Sequence, residues 1–482
     1  MVEIGNFVYM KRIVVDLDGT LVKTDMLYES FIMNLSRNPL ILFLCFYWLI
    51  VGGKVLLKSK LADRYEFEPE FLPYNEELLN YLKKEKNNGS ALYLATATHE
   101  SIANKISAYL GLFIDVFATN NVINLSGKNK AEFLNKKFGT GNYLYVGNSS
   151  VDLPIWLSAG AAVCVNISSK VKNKLLDYKK IQVEHVFIEK KSRIKSVLLM
   201  LRVHQWCKNL LLFVPLVTAN MLGQINAWLM LIAAFFSFSF LASFVYILND
   251  LLDLDSDRKH ITKCRRPLAS GNVSIITGLV SLPLLFATSV FVAFLISERF
   301  VGCLLIYFVV TTLYSFVLKR IVIIDCLTLS FLYTFRMLSG IVILSVPISL
   351  WLVSFSGFFF LSLAFIKRIA ELKNLERQGR DKSDKRGYKL CDLPMLSQIG
   401  VASGYTSTLI FALYVNSGRI SLFNHPTFVY FCGPVLVYWI TYMFFKTNRG
   451  EMDEDPVIFA VRNKHSLFSG LLFCTLFVIG VL

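Results

Sequence analysis

Long apolar runs recur through the second half of the chain, and they leave few folds open to it. Nine stretches, at about 206–221, 226–248, 274–297, 300–318, 323–345, 348–366, 396–416, 427–445 and 466–482, approach or reach the length that crosses a hydrocarbon core. Inside a bilayer every backbone polar group must be satisfied within the protein. The expected architecture for residues 205–482 is therefore an all-α polytopic membrane bundle of about nine transmembrane helices. Residues 1–195 differ: they are mixed and charged, and 482 residues are too many for one core.

The net charge of +16 invites a nucleic-acid reading, but no basic stripe with interleaved aromatics is present, so no nucleic acid is expected as a partner. Many of the cations instead fall in alternate loops between spans. Arg258, Lys259, Lys263, Arg265 and Arg266 follow the second span, and Lys319 and Arg320 follow the fourth. Lys367 to Lys389 follow the sixth, and Lys446, Arg449, Arg462 and Lys464 follow the eighth. The opposite loops hold little beyond Arg299 and Arg419. By the positive-inside rule the dense loops and the N-terminal half face the cytosol. The expected location is a bacterial inner (cell) membrane, with membrane lipids as surroundings. Nine scattered Cys without a C-x-x-C pair suggest neither a zinc site nor a disulfide framework. The first apolar run, Ile13 to Leu17, is short and runs into acids, so no secretory signal is read there.

The first half alternates short apolar strands with helices. Ile13–Val15, Leu92–Ala95, Tyr143–Val146 and Ala161–Val165 are strand candidates, and Asn75–Asn88 and Lys130–Phe138 are helical. Such alternation predicts a parallel sheet covered by helices on both faces, with ligands at the carboxyl ends of the strands. Pro39 to Gly52 is almost wholly apolar and is followed by Lys54, Lys58 and Lys60. It is too short to span a bilayer easily; a buried core helix is one reading, and an amphipathic or re-entrant segment touching the membrane is the other.

Asp16-Leu17-Asp18-Gly19-Thr20 follows the first strand. Asp16 is placed to attack phosphorus, and Asp18, two residues on, to act as general acid and base. Thr96 closes the second strand and can hold a phosphoryl oxygen, while Lys130 can neutralise its charge. Asn148 and Asp152 follow the third strand and, with Asp16 and Asp18, offer oxygen ligands to Mg²⁺. Over roughly residues 11–180 this half resembles the haloacid-dehalogenase superfamily of phosphohydrolases. The resemblance implies a Rossmann-like α/β core, a small helical cap at about 25–75 and Mg²⁺-dependent phosphomonoester hydrolysis. Asn148 departs from the pattern, since many members carry Asp there.

An acidic run, Asn249-Asp250-Leu251-Leu252-Asp253-Leu254-Asp255-Ser256-Asp257, ends the second span. At about 100° per residue, Asp250, Asp253 and Asp257 share a helix face with Asn249 beside them, and Asp255 falls opposite. Acids at a helix C-terminus oppose its dipole, so a cation is the expected reason for the cluster. Oxygen ligands near a membrane surface suit Mg²⁺ with a diphosphate. The run is similar to the N-D-x-x-D-x-x-x-D signature of the UbiA-type membrane prenyltransferase superfamily, and the resemblance covers residues 198–482. It implies a cytosol-facing cavity in which Asp250, Asp253 and Asp257 hold Mg²⁺ and Asn249 supports them.

Members of that superfamily ordinarily carry a second aspartate-rich loop after the sixth span. Here the loop begins Lys367-Arg368-Ile369-Ala370-Glu371 and continues basic, with Asp381 and Asp384 outside the expected pattern. That loop, Gln205-Trp206-Cys207-Lys208-Asn209, Tyr314–Lys319 and Asp455-Pro456-Val457 resemble the subgroup that transfers phosphoribosyl from phosphoribosyl diphosphate to a polyprenyl phosphate. Lys208, Lys263, Arg266, Lys319, Lys367 and Arg368 become phosphate-binding candidates, with Lys319 and Lys367 favoured as helix-end residues. Asp325 and Arg336 lie within the fifth span on one face; Asp325 is expected to reach substrate and Arg336 to find a structural partner or snorkel. The expected layout is a phosphatase-like domain at 1–185, a basic linker at 186–204 (Lys190, Lys191, Arg193, Lys195, Arg202) and a transferase domain at 205–482. The alternative is transfer of an isoprenyl group from its diphosphate to an aromatic or other acceptor, beside a regulatory or inactive N-terminal domain.

Overall fold

A computed structural model describes residues 11–120, 124–177, 181–188, 192–379, 386–416, 425–452 and 455–481. Lys190, Lys191, Asp381, Asp384 and Arg419 lie outside the described residues. The chain divides into two compact units, Met1–Leu201 with Tyr246–Leu282, and Arg202–Val245 with Pro283–Leu482.

The first unit is built on six parallel strands: β1 (Arg12–Val15), β2 (Ala91–His99), β3 (Asp115–Thr119), β4 (Leu144–Gly147), β5 (Ala161–Val165) and β6 (Gln182–Phe187). Their order is β3-β2-β1-β4-β5-β6. Ile13, Val14 and Val15 have no exposed surface, as a β-branched strand buried on both faces requires. Ile13 lies opposite Leu92 on one side and Leu144 on the other, so β1 is central. The chain leaves β1 toward β2 and β3 on one side and returns to β4, β5 and β6 on the other. That reversal opens the crevice where α/β sheets hold ligands. The four expected strands are present, β2 runs on past Thr96 to His99, and β3 and β6 were not expected. The last strand also crosses the boundary expected at residue 185.

Between β1 and β2 lie α1 (Met26–Arg37), α2 (Ile41–Ala62) and α3 (Glu76–Asn87), followed after β2 by α4 (Glu100–Leu110) and after β3 by α5 (Gly127–Phe138). Asp25 caps α1 by accepting from the Leu27 amide at 2.9 Å. The apolar segment expected to stop near Gly52 is a single kinked helix continuing to Ala62. Gly53 adopts φ 61° and ψ −158°, open to glycine and closed to most side chains, and the helix resumes beyond it. The buried-core reading of this segment is corrected: its first half exposes Phe43, Phe46, Tyr47 and Ile50.

Among the described residues, eight helices are long and apolar enough to cross a membrane, and α2 is one of them. Seven coincide with expected spans: Ile225–Leu252, Ile275–Ile296, Glu298–Phe316, Ile324–Leu344, Leu350–Arg377, Leu390–Asn416 and Pro426–Asn448. The other two differ from expectation. Arg193–Met200 and Val203–Thr218 form a pair bent by 49°, most of the latter a 3₁₀ helix, and the last apolar helix, Lys464–Gly480, is shorter. In a 3₁₀ helix residues three apart stack on one side. Here that row is Trp206, Asn209 and Leu212; Trp206 donates to Ser243 Oγ at 3.0 Å and Asn209 to Ser239 Oγ at 2.9 Å. The chain is a multi-pass membrane protein.

Candidate active sites

The carboxyl ends of β1, β2 and β4 bring the predicted phosphatase residues together. Lys130, on α5 and 4% exposed, donates to Asp16 Oδ1 at 2.7 Å and to the Tyr145 hydroxyl at 3.1 Å. Tyr145 in turn donates to Asp152 Oδ1 at 3.0 Å. The other oxygen of Asp152 accepts from the amides of Asn148 and Ser149 and from Ser149 Oγ. Asp18 Oδ2 accepts from Thr98 Oγ1 at 2.6 Å and from Thr96 Oγ1 at 3.4 Å, and Asp18 Oδ1 accepts from the Met26 amide at 2.8 Å. Gly19 has φ +70°, and a side chain there would collide with Asn148, so glycine keeps the turn after Asp18 close to the β4 loop. Sequence reasoning missed Tyr145 and Thr98, whose roles come from neighbours distant in the chain.

These carboxyls resist ionisation. Burial pushes Asp16 up to about 7 against the pull of Lys130, and repulsion from Asp152 and Asp18 adds to it. Burial, then the charge of Asp25, pushes Asp18 up to about 6. Such a group of buried, mutually repelling oxygen donors has the chemistry that a hard divalent cation takes.

In the same unit the acidic run takes a different shape from the one expected. The helix that begins at Ile225 ends at Leu252, Asp253 is non-helical, and a short helix covers Leu254–Lys259. Asp250 Oδ1 and Asp257 Oδ2 converge on a single guanidinium nitrogen of Arg266, at 2.9 and 2.6 Å. Burial raises Asp257 in spite of Arg266. Among the described residues, no group of three or more His, Cys, Asp or Glu is gathered for a metal, and Arg266 stands between Asp250 and Asp257. The carboxylate oxygens of Asp250 and Asp257 are donors of the kind Mg²⁺ takes, with the Arg266 guanidinium between them in this structure. Asn249, Asp253 and Lys263 are half-buried around it.

The next residue, Arg258, turns to the N-terminal domain. Its guanidinium donates to both oxygens of Glu29 on α1 and to Ala269 O at 3.0 Å. The sequence held no sign of this pairing.

In the second unit two ammonium groups share one acid. Lys208 Nζ stands 2.5 Å and Lys367 Nζ 3.9 Å from Asp455 Oδ2. Asp455 Oδ1 accepts from the Val457 and Ile458 amides, capping Pro456–Arg462. Burial opposes its ionisation, yet Lys208 and Lys367 hold its carboxyl below the usual carboxylate range. Lys367 lies inside Leu350–Arg377 and not at a helix end, because the helix continues into the expected loop. Lys319 is half-buried in the 3₁₀ turn Leu318–Arg320.

Asp325 and Arg368 are given to each other. Arg368 Nε meets Asp325 Oδ2 at 2.5 Å with almost no exposure on either side chain, and the Tyr388 hydroxyl donates to Asp325 Oδ1 at 2.5 Å. Arg368 also pairs with Glu371, which accepts from Arg386 as well. This geometry makes them ties between helices, in place of the substrate contacts expected of both. Arg336 has structural partners: Asn209 Oδ1 at 2.9 Å, Leu332 O and the Tyr307 hydroxyl at 2.7 Å.

Fold and sites together define a polytopic membrane protein with an N-terminal parallel α/β domain. Residues 210–468 match the UbiA prenyltransferase family, and the chain belongs to it. An uncharacterized protein, y4nM, of Sinorhizobium fredii is 34% identical over 472 residues, 97% of this chain and 91% of that one. A decaprenyl-phosphate phosphoribosyltransferase of Mycobacterium tuberculosis is 30% identical over 190 residues, 39% of this chain and 63% of that one. Among solved structures, a UbiA homolog from Archaeoglobus fulgidus bound to GPP and Mg2+ overlays with a TM-score of 0.44 at 16% identity, covering 59% of this chain and 98% of that one. Apo phosphoserine phosphatase overlays with a TM-score of 0.28 at 18% identity, covering 38% and 95%.

Proposed function

We propose that the membrane domain transfers phosphoribosyl from phosphoribosyl diphosphate to a polyprenyl phosphate, and that the N-terminal domain then hydrolyses the 5-phosphate of the product. The observation that carries the reading is the 30% identity to phosphoribosyltransferases whose acceptor is decaprenyl phosphate. The paired ammonium groups of Lys208 and Lys367 support it, since they suit a phosphomonoester acceptor. In the transfer, an oxygen of the polyprenyl phosphate attacks C1 of the ribose and the bond from C1 to diphosphate breaks. Asp250, Asp253 and Asp257 would hold Mg²⁺, which neutralises charge on the departing diphosphate. Lys263 and Arg266 supply further positive charge, and Lys208, Lys319 and Lys367 bind phosphate.

In the hydrolysis, a carboxylate oxygen of Asp16 attacks phosphorus while Asp18 gives its proton to the departing ribose oxygen. Water activated by Asp18 then releases inorganic phosphate from Asp16. Lys130 neutralises the phosphoryl group, Thr96 and Thr98 orient Asp18, and Asp16, Asp152 and Asn148 would hold Mg²⁺. In this reading both reactions take place on the cytosolic side of an inner membrane, where the basic loops lie.

The test offers the purified protein phosphoribosyl diphosphate with polyprenyl phosphate, or isoprenyl diphosphate with aromatic acids. Diphosphate release with only the second pair would overturn the transferase reading. Asp16→Asn should leave transfer intact and accumulate the 5-phosphorylated lipid; an unchanged product would remove the phosphatase step.

A further inference from the structure

We propose that the first half of α2 is a wedge seated in the lipid bilayer, and that the N-terminal site therefore acts on phosphomonoesters carried by lipids. The second part rests on the phosphatase reading above. Leu40, Phe43, Phe46, Tyr47, Ile50 and Val51 are each 60% exposed or more, an apolar surface that a water-facing helix does not carry. The helix is firmly held on its other side, where Ile41, Trp48 and Leu61 are buried with Leu27, Phe31 and Leu35 packed against them. From Ile41 to Gly52 it rises about 18 Å at ~1.5 Å per residue. That is close to one leaflet of a hydrocarbon core, about 15 Å.

Gly53 then breaks the helix, and the character of its surface changes at the break. Lys54 and Lys60 are exposed beyond it, the arrangement of an apolar wedge with cations at the level of anionic headgroups. Lys58, on the same stretch, turns inward instead. Its ammonium donates to Ala97 O at 2.7 Å and to Asn124 Oδ1 at 3.3 Å, and Ala97 lies between the two threonines that bond Asp18. One helix thus joins a lipid-seeking surface to the rim of the phosphatase-like pocket. A site mounted so takes a phosphate whose tail stays in the bilayer. The occupant of the apolar surface is lipid rather than a second copy of the chain, because the cations beyond Gly53 complement anionic headgroups.

The experiment uses the full-length protein in nanodiscs of phosphatidylcholine and phosphatidylglycerol. Photoreactive benzoylphenylalanine replaces Phe46 or Ile50, with Lys84 on α3 as the water-facing control. Lipid adducts are expected at the first two positions and none at Lys84. Adducts between protein copies, or no adducts, would overturn the wedge. A Phe46→Glu, Ile50→Glu double variant is then compared on p-nitrophenyl phosphate and on a long-chain alkyl-linked ribose 5-phosphate in the same discs. Hydrolysis of the lipid-linked ester should fall at least about tenfold, with the soluble ester unaffected. Equal loss on both, or loss on neither, would overturn the lipid-borne substrate. If the unaltered protein hydrolyses neither ester, the phosphatase reading falls and this substrate with it, while the adducts still decide the wedge.

Discussion

Arg258 closes on both carboxylate oxygens of Glu29, and the two side chains are only 6% and 1% exposed. Its neighbour Asp257 meets Arg266 in the acidic run, so consecutive residues serve the cap helix and the candidate diphosphate site. Removing one partner of a buried pair strands the other charge. Glu29→Gln should destabilise the first unit by about 3–5 kcal/mol. Replacing both, as in Glu29→Leu with Arg258→Met, should cost less than either change alone. Hydrogen exchange of the α1 peptides in the unaltered protein, Glu29→Leu, Arg258→Met and the double variant checks this, and additive losses would contradict it.

The raised carboxyls of Asp16 and Asp18 set a pH dependence of stability. An ordinary Asp releases its proton near 3.8, whereas these hold theirs to about 7 and about 6 in the folded protein. Between those limits the folded state binds more protons than the unfolded one, so stability falls as pH rises from about 4 to about 7. With a chelator present, β1 should be better protected from hydrogen exchange at pH 5.5 than at pH 8. Added Mg²⁺ should narrow the difference, and Asp16→Asn should flatten it. Protection that rises with pH would contradict the assignment.

Tyr145 joins Lys130 to Asp152 through one hydroxyl. Tyr145→Phe leaves a buried carboxylate oxygen short of a donor, at a cost of about 1–3 kcal/mol. Hydrolysis of p-nitrophenyl phosphate should then need more Mg²⁺ for half-maximal rate, while Asp16 remains paired with Lys130. An unchanged Mg²⁺ requirement would mean that the hydroxyl does not support Asp152.

Asp455 combines a helix cap with a counter-ion for two lysines. Asp455→Asn retains an oxygen for capping but removes the charge; Asp455→Ala loses both, adding about 0.5–2 kcal/mol of instability from the lost cap. Transfer assays should therefore give a lowered KM for polyprenyl phosphate in both variants, the two ammonium groups being freed of a competing carboxylate, and a lowered melting point chiefly in Asp455→Ala. Equal KM values in all three proteins would separate the lysine pair from acceptor binding.

What the sequence disclosed was local, and what it hid was carried by distant neighbours. Asp16, Asp18 and Asp152 could be placed because each directly follows or closes a strand turn. Thr98 and Tyr145 read as ordinary strand residues, since only the approach of β1 and α5 gives their hydroxyls partners. β3 and β6 escaped notice because they are outer strands with partly exposed residues, and β6 interrupts its apolar positions with Glu184 and His185. Lys54, Lys58 and Lys60 read only as residues following the apolar run; they belong to the same helix, which resumes after Gly53. Arg368 was read as a phosphate ligand because basic residues near span ends attract that reading, while its partners Asp325 and Tyr388 come from other segments.

The Glu29 pairing also bears on the order in which the protein is made. Glu29 emerges from the ribosome long before Arg258, and N-terminal domains fold first during synthesis. The cap helix is thus already formed when the acidic run leaves the tunnel, and Arg258 arrives to find its carboxylate waiting. A chain whose N-terminal domain fails to fold reaches the bilayer with that arginine still lacking its acid. The pairing so makes the first unit wait, for its last buried charge to be met, on a residue made 229 positions later.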